Sequence, residues 1–285
     1  ISVPRMVLSV RRLAEFNPVM QPDAGIALFA MSLYNKAEYV QQALYSVAMQ
    51  SYSRVALHII DDASTDASVA RLQQFQALAP CNLPLQFAQS GGGCGTYVIR
   101  NRIIANWQHK AGCYLVQDAD DISSAARAWF QIACLQQDDQ VAVCSADMVR
   151  IDSAGQPLTL DGLAERYGSA TLCAPLSLHQ QLGYYENICK NADSEFIDRL
   201  KAIKGKVAAG WYRYPLLYQR YDGNNLTADM YQHAAHQLVA DHSVRARHKQ
   251  LYKMRHQQLS ADNIARAYPA DAGPRSEYQL LLSGF

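Results

Sequence analysis

Apolar runs and polar clusters alternate along residues 26–151, and this alternation leaves the chain few folds to choose from. Ile26-Ala27-Leu28-Phe29-Ala30-Met31 reads as a buried strand. Residues 36–50 carry Val40, Ala43, Leu44, Val47 and Ala48 at helical spacing. Residues 55–60 form a second apolar run. The polar loop 61–66 follows, where Ser64 or Asp66 caps a helix reaching Leu78. A weaker strand over 83–88, a helix over 96–110, a strand over 113–117, a helix over 124–137 and a strand over 141–151 complete the series. Strand–helix alternation of this kind predicts an α/β fold with a mostly parallel central sheet flanked by helices. In such sheets ligands bind at the carboxyl ends of the strands. The clusters Ser32-Leu33-Tyr34-Asn35, Asp61-Asp62 and Asp118–Asp121 each follow a strand directly, so they should meet on one rim. Beyond Ile151 the pattern loosens. Residues 152–175 read as loop, 177–204 as two short helices, 212–221 as a last strand, and 227–258 as one long helix before a tail.

Composition narrows the function. The chain has 26 basic and 25 acidic residues, a net charge of +1, which gives no whole-protein attraction to nucleic acid. Seven cysteines occur without a C-x-x-C pair, which argues against a structural zinc site. Several, such as Cys113 and Cys144, sit in apolar runs, as buried thiols in the reducing cytoplasm would. No apolar run reaches the roughly 18 residues a membrane span needs. The chain opens on Ile1-Ser2-Val3-Pro4-Arg5, with neither a signal-peptide pattern nor an initiator Met, as an excised domain or a chain lacking its first residues would.

The acidic cluster Asp118-Ala119-Asp120-Asp121 is the main chemical signal. Three carboxylates within four residues repel one another and resist desolvation without a counter-charge. A divalent cation meets both demands, because Mg²⁺ takes one or two carboxylates together with phosphate oxygens and water. The bland alternative is a solvated turn in which Asp121 or Ser123 caps the next helix. At the second cluster, a carboxylate of Asp61 or Asp62 can accept from a base N–H or a ribose hydroxyl. Ser90-Gly91-Gly92-Gly93-Cys94-Gly95 lacks the ending of a P-loop and reads as a flexible turn, with a phosphate cradle as the lesser alternative. His233, His236 and His242 fall on the expected long helix; a late His as metal ligand competes there with solvated histidines. His179 is a candidate at the acceptor. Arg245, Arg247, Lys249, Lys253 and Arg255 make a basic stretch that reads as a solvated face, with peripheral contact to anionic lipid as the alternative.

Four ordered motifs resemble family 2 inverting glycosyltransferases, which have the GT-A fold. They are residues 30–36 leading to Gln50-Ser51-Tyr52, then 60–66, then Gly95–Asn101 with Gln117–Asp121, and finally Lys190–Leu200. The similarity covers residues 25–225. It implies a GT-A domain over 1–225, with a nucleotide-binding half at 25–121 and an acceptor half at 122–225. A C-terminal helical extension and tail fill 226–285. It further implies that Ser32 and Tyr34 border the base, that Asp62 bonds it with Asp61 adjacent, and that Arg100 lies near the nucleotide. Asp118, Asp120 and Asp121 would face Mn²⁺ or Mg²⁺ and the diphosphate. Asp193 would be the catalytic base, with Glu195 as the fallback. Two positions depart from the family: Ala192 stands where many relatives have Glu, and Ala63 where Gly is common, which asks the turn for an ordinary φ. The expected activity is inverting transfer from a nucleotide-sugar, UDP-linked by default, to a glycan or lipid-linked glycan acceptor in surface polysaccharide synthesis. The site of action would be the cytoplasm or the inner face of the membrane. Such a transfer needs one base and a Lewis acid on the leaving diphosphate. The competing readings are a metal-dependent phosphohydrolase or nucleotidyltransferase, and a non-catalytic nucleotide- or glycan-binding domain.

Overall fold

The computed structural model describes residues 22–78, 83–160, 162–188, 190–223, 231–234, 237–240, 243–260 and 263–270. The first half follows the predicted alternation. Strands β1 (Ala27–Leu33), β2 (Val55–Asp61), β3 (Leu85–Gln89) and β4 (Cys113–Asp118) are parallel, in the spatial order β4-β1-β2-β3. Helices α1 (Val40–Ala48), α2 (Ser68–Leu78), α3 (Thr96–Trp107) and α4 (Arg127–Gln137) connect or follow them. Helix α1 buries Val40, Ala43, Leu44 and Val47, the stripe its spacing predicts. Two core clusters lie on opposite faces of the sheet: Leu28, Val116 and Ile103 belong to one, and Phe29, Leu57 and Leu115 to the other.

The second half is mixed rather than mostly parallel. The two-residue strand β5 (Ile122–Ser123) pairs with β9 (Ala209–Arg220). Strand β6 (Val143–Ile151) runs parallel to β9 and antiparallel to β7 (Pro157–Leu160) and β8 (Glu165–Pro175), and β8 joins the parallel half through antiparallel pairing with β4. Residues 152–175 are therefore largely strand, not loop. A Cβ on Gly168 would stand 2.7 Å from the Met148 sulfur, so this glycine serves the close approach of β8 to β6.

Helices α5 (Leu178–Leu182) and α6 (Ala192–Lys204) match the two expected ones. The long helix over 227–258 does not form. Its described residues make an antiparallel hairpin, β10 (Tyr231–Ala234) with β11 (Gln237–Ala240), then α7 (Ser243–His256). A short α8 (Ile264–Ala267) follows. The edge of β7 takes up β11 through Gln237 and Leu238, so backbone pairing overrides helix propensity in this Ala- and Gln-rich segment. His233 falls on β10, while His236 and His242 lie outside the described residues. Among the described residues no helix is long and apolar enough to cross a membrane.

Ala63 contradicts its expectation, because its φ is +63°. The turn needs the left-handed conformation that glycine adopts without strain and alanine does not. Replacing Ala63 with Gly should stabilise the fold by about 0.5–1 kcal/mol and raise the Tm by ~1–4 °C, measurable by thermal denaturation.

Candidate active site

Strand register lines up the polar clusters. Ser32 pairs with Ile60 on one side and Asp118 on the other, and Leu33 pairs with Asp61, so the carboxyl ends of β1, β2 and β4 form one rim. A cavity of about 960 Å³ opens over it, at the upper end of the usual range for ligand sites. Ser32, Tyr34, Asp62, Arg100, Asp118, Asp120, Asp121 and Asp193 all line this cavity.

Hydrogen bonds between loops hold the rim. Ser64 Oγ accepts from Asn35 N, Ser68 Oγ from Lys36 N, and Asp66 from both Ala37 N and Ser68 N. Thr65 N donates to Asn35 Oδ1 at 2.8 Å. Asp61 has no exposed surface, and its carboxylate accepts from the Ser64 amide and hydroxyl. It braces the turn from inside and does not line the cavity. Asp62 accepts from Ser90 Oγ at 2.6 Å, Cys94 N at 3.0 Å and Gly95 N at 2.8 Å. Burial by itself would raise its pKa, but these donors outweigh burial and hold the carboxyl below its ordinary value. The glycine-rich loop is thus an anion nest at the start of α3 already filled by Asp62, which removes the phosphate-cradle reading.

The acidic turn is internally braced. Gln117 Nε2 donates to the carbonyls of Asp118 and Asp121, Ser123 Oγ donates to Gln117 Oε1, and buried Arg127 donates to both Gln117 Oε1 and Ser123 Oγ. Neither Asp121 nor Ser123 caps α4. Each carboxylate has its own partner instead. Arg100 pairs with Asp118, Lys36 Nζ lies 2.7 Å from Asp120 Oδ2, and Arg220 N donates to Asp121 Oδ1 at 3.0 Å. Burial, opposed by Lys36 and reinforced by Asp118, raises the Asp120 pKa. Burial, then Asp120 and Asp118, pushes Asp121 well above the usual carboxylate range. Asp121 Oδ2 is buried without a hydrogen-bond partner among the described residues.

Asp193 stands in the first turn of α6. Its Oδ1 accepts from Tyr97 OH at 3.1 Å and from Ser194 N at 2.9 Å, and its Oδ2 from Ser169 Oγ. The Arg100 guanidinium lies over the Tyr97 ring, 5.3 Å from its centre. A continuous path therefore runs from Asp118 through Arg100 and Tyr97 to Asp193. Burial, then the neighbouring Asp193, raises the Tyr97 phenol well above its usual pKa, so it stays a neutral donor. Glu195 points elsewhere. It is fully buried, pairs with Arg199 at 3.0 Å and His256 at 2.8 Å, and does not line the cavity. His179 is likewise a core residue. It stacks on Phe196, contacts Tyr114 OH at 2.9 Å, and is pushed down to about pKa 3 by burial.

Sequence reasoning gave no role to Lys36, Tyr97, Thr96 or Ser169. The first three sit inside the family-like motifs, but a lone Lys, Tyr or Thr carries no signal until its partner is known. The Thr96 hydroxyl meets Ser32 Oγ at 2.6 Å. Ser169 lay in the stretch misread as loop. The basic stretch is partly turned inward: Arg255 pairs with Glu186 and Lys249 with Asp198, while Arg247, Lys249 and Lys253 remain exposed.

Comparisons with known proteins agree with this architecture. Among curated protein sequences nothing matches the chain. Among solved structures, S. aureus TarS 1-349 in complex with UDP is 17% identical with a TM-score of 0.54, over 70% of this chain and 61% of that one. The same TarS segment in complex with UDP-GlcNAc gives 17% identity and a TM-score of 0.55, over 73% and 62%. The mannosyltransferase PcManGT from Pyrobaculum calidifontis, in complex with GDP-Man and Mn²⁺, is 14% identical with a TM-score of 0.50, over 97% and 75%. The chain thus spans about three fifths of the TarS segment, and the likeness is one of fold. A family model described as glycosyl transferase family 2 matches residues 29–173, slightly more than half of the chain, from the first rim strand to the strand bearing Ser169. On that match, the chain belongs to glycosyl transferase family 2.

Proposed function

We propose that the protein transfers a sugar, with inversion, from a nucleoside-diphosphate sugar to a hydroxyl of a glycan or lipid-linked glycan acceptor. The observation that carries this reading is the arrangement of one cavity between two kinds of carboxylate: the acidic turn on the donor side and Asp193, held by Tyr97 and Ser169, on the other. Residues 25–121 serve the donor and 122–225 the acceptor. Ser32, Tyr34 and Asp62 border the base, and UDP is the default nucleotide. Three donors already orient Asp62, so it is preorganised to accept one more hydrogen bond from a base N–H.

The residues of the turn fit a divalent cation, Mn²⁺ or Mg²⁺. Among the described residues no three His, Cys, Asp or Glu side chains converge to hold a metal alone. A cation shared with a diphosphate needs only one or two carboxylates. Asp118 and Asp120 supply these, and the unpartnered Asp121 Oδ2 with the raised carboxyls marks a place where positive charge is favoured. When bound, such a cation neutralises charge on the departing diphosphate. Lys36 and Arg100 add positive charge beside it. Asp193 takes the proton of the acceptor hydroxyl as that oxygen attacks, and Tyr97, Ser169 and Ser194 N fix the carboxylate toward it. Exposed Arg247, Lys249 and Lys253 on α7 supply the charge for peripheral contact with an anionic membrane face.

Saturating UDP with Mn²⁺ should stabilise the protein by about 2–3 kcal/mol at a hundredfold excess over the Kd, read as a Tm increase, and Asp120→Ala should remove the Mn²⁺-dependent part. The absence of a shift with any nucleoside diphosphate would sink the reading. Asp193→Asn should lower transfer by roughly 10²–10⁴ while keeping the UDP shift. Glu195→Gln should instead lower the Tm through loss of its buried ion pair with Arg199 and its contact with His256, with any loss of rate following the loss of folded protein.

A further inference from the structure

Strands β8 and β9 carry two large aromatic side chains toward each other across β6. In the sheet register Ser145 pairs with Trp211, and Asp147 pairs with Tyr167. Ser145 and Asp147 are two residues apart and so share one face of β6. The two rings meet over that face, 5.5 Å between centres and at 83°. Both stay open to solvent, Trp211 at 48% and Tyr167 at 37% exposure. Single exposed aromatics are ordinary on protein surfaces. This pair differs because it is held in place. Trp211 Nε1 donates to Asp147 Oδ1 at 2.8 Å, and Asp147 is itself buried. The Arg213 guanidinium lies 5.2 Å from the centre of the Trp211 ring.

The pair also sits at a telling place. Tyr167 lines the cavity, and Ser169, two residues further along β8, lines it too and donates to Asp193. Residues two apart on a strand are about 6.6–6.8 Å apart along its axis. A track therefore leads from Asp193 over Ser169 and Tyr167 to Trp211 and out to solvent. Fixed rings with a negative π face suit the C–H face of a sugar ring, and the exposed Arg213 guanidinium beside Trp211 is placed to donate to its hydroxyls.

We propose that Tyr167 and Trp211 form an acceptor subsite that stacks a sugar ring next to the one bearing the attacking hydroxyl, so that the acceptor is an oligosaccharide or longer glycan. This rests on the transferase reading of the same cavity. The pair would select acceptors by length and ring shape, while the donor end remains separate from it.

The test is binding of fluorescently labelled protein to an array of printed oligosaccharides, with UDP-induced thermal stabilisation measured on the same preparations. The wild-type chain should bind at least one glycan class. Trp211→Phe should bind within about twofold of it, and Trp211→Ala and Tyr167→Ala about five- to tenfold more weakly, as expected for a lost stacking contact. All four should show the same UDP shift, which establishes that the variants are folded with an intact donor site. Unchanged glycan binding in both alanine variants overturns the subsite, as does a wild-type chain that responds to UDP but binds no printed glycan. A wild-type chain that ignores UDP while binding glycans through Trp211 would instead overturn the donor reading and keep the subsite.

Discussion

Everything at the rim depends on compensating negative charge at one turn. Asp118, Asp120 and Asp121 crowd the end of β4, and two of them are nearly inaccessible to water. Carboxylates buried that closely together cannot all stay ionised without nearby positive charge or donors. The fold supplies these from three directions: Lys36 after β1, Arg100 on α3, and the backbone N–H of Arg220 at the end of β9. Elements far apart in sequence are thereby tied to one short loop. The same arrangement leaves Asp121 Oδ2 buried without a hydrogen-bond partner among the described residues.

A consequence is that the two sides of the cavity are mechanically joined. Arg100 pairs with Asp118 and packs on Tyr97, and Tyr97 bonds Asp193. The proposed metal-diphosphate side and the proposed base thus share one helix, α3, as their common support. Asp62 acts similarly on the proposed nucleotide side. Its carboxylate organises the loop from Ser90 to Gly95, so that a residue expected to read the base also shapes the loop leading into α3.

Helix α7 packs behind the helix that bears Asp193. Along α7, His248, Tyr252 and His256 are spaced four residues apart and so share a face. His248 reaches Glu186 and Asn191, Tyr252 donates to Asp198, and His256 reaches Glu195. Three of these contacts fall on or immediately before α6, the helix that bears Asp193. Glu195 serves that docking, so it stays in the core while Asp193, two residues before it, lines the cavity.

The parallel half of the fold was legible in the sequence because its information is local. Continuous apolar runs mark β1, β2 and β4 and helical spacing marks α1, and chain connectivity alone then sends the Asp61-Asp62 and Asp118–Asp121 clusters to one rim. The motifs around Ser32, Asp62, Arg100 and Asp118 could be named for the same reason. What only the tertiary structure decided depends on partners distant in sequence. Strand β8 was hidden in part by Gly168, which permits its close approach to β6, and the β10–β11 hairpin forms on the edge that β7 offers. Asp61 and Glu195 look like site residues in a motif, yet packing turns them inward. Lys36, Tyr97, Ser169 and Trp211 acquire meaning only through side chains up to about a hundred positions away, because pairing of charges and donors is a property of space and not of sequence spacing.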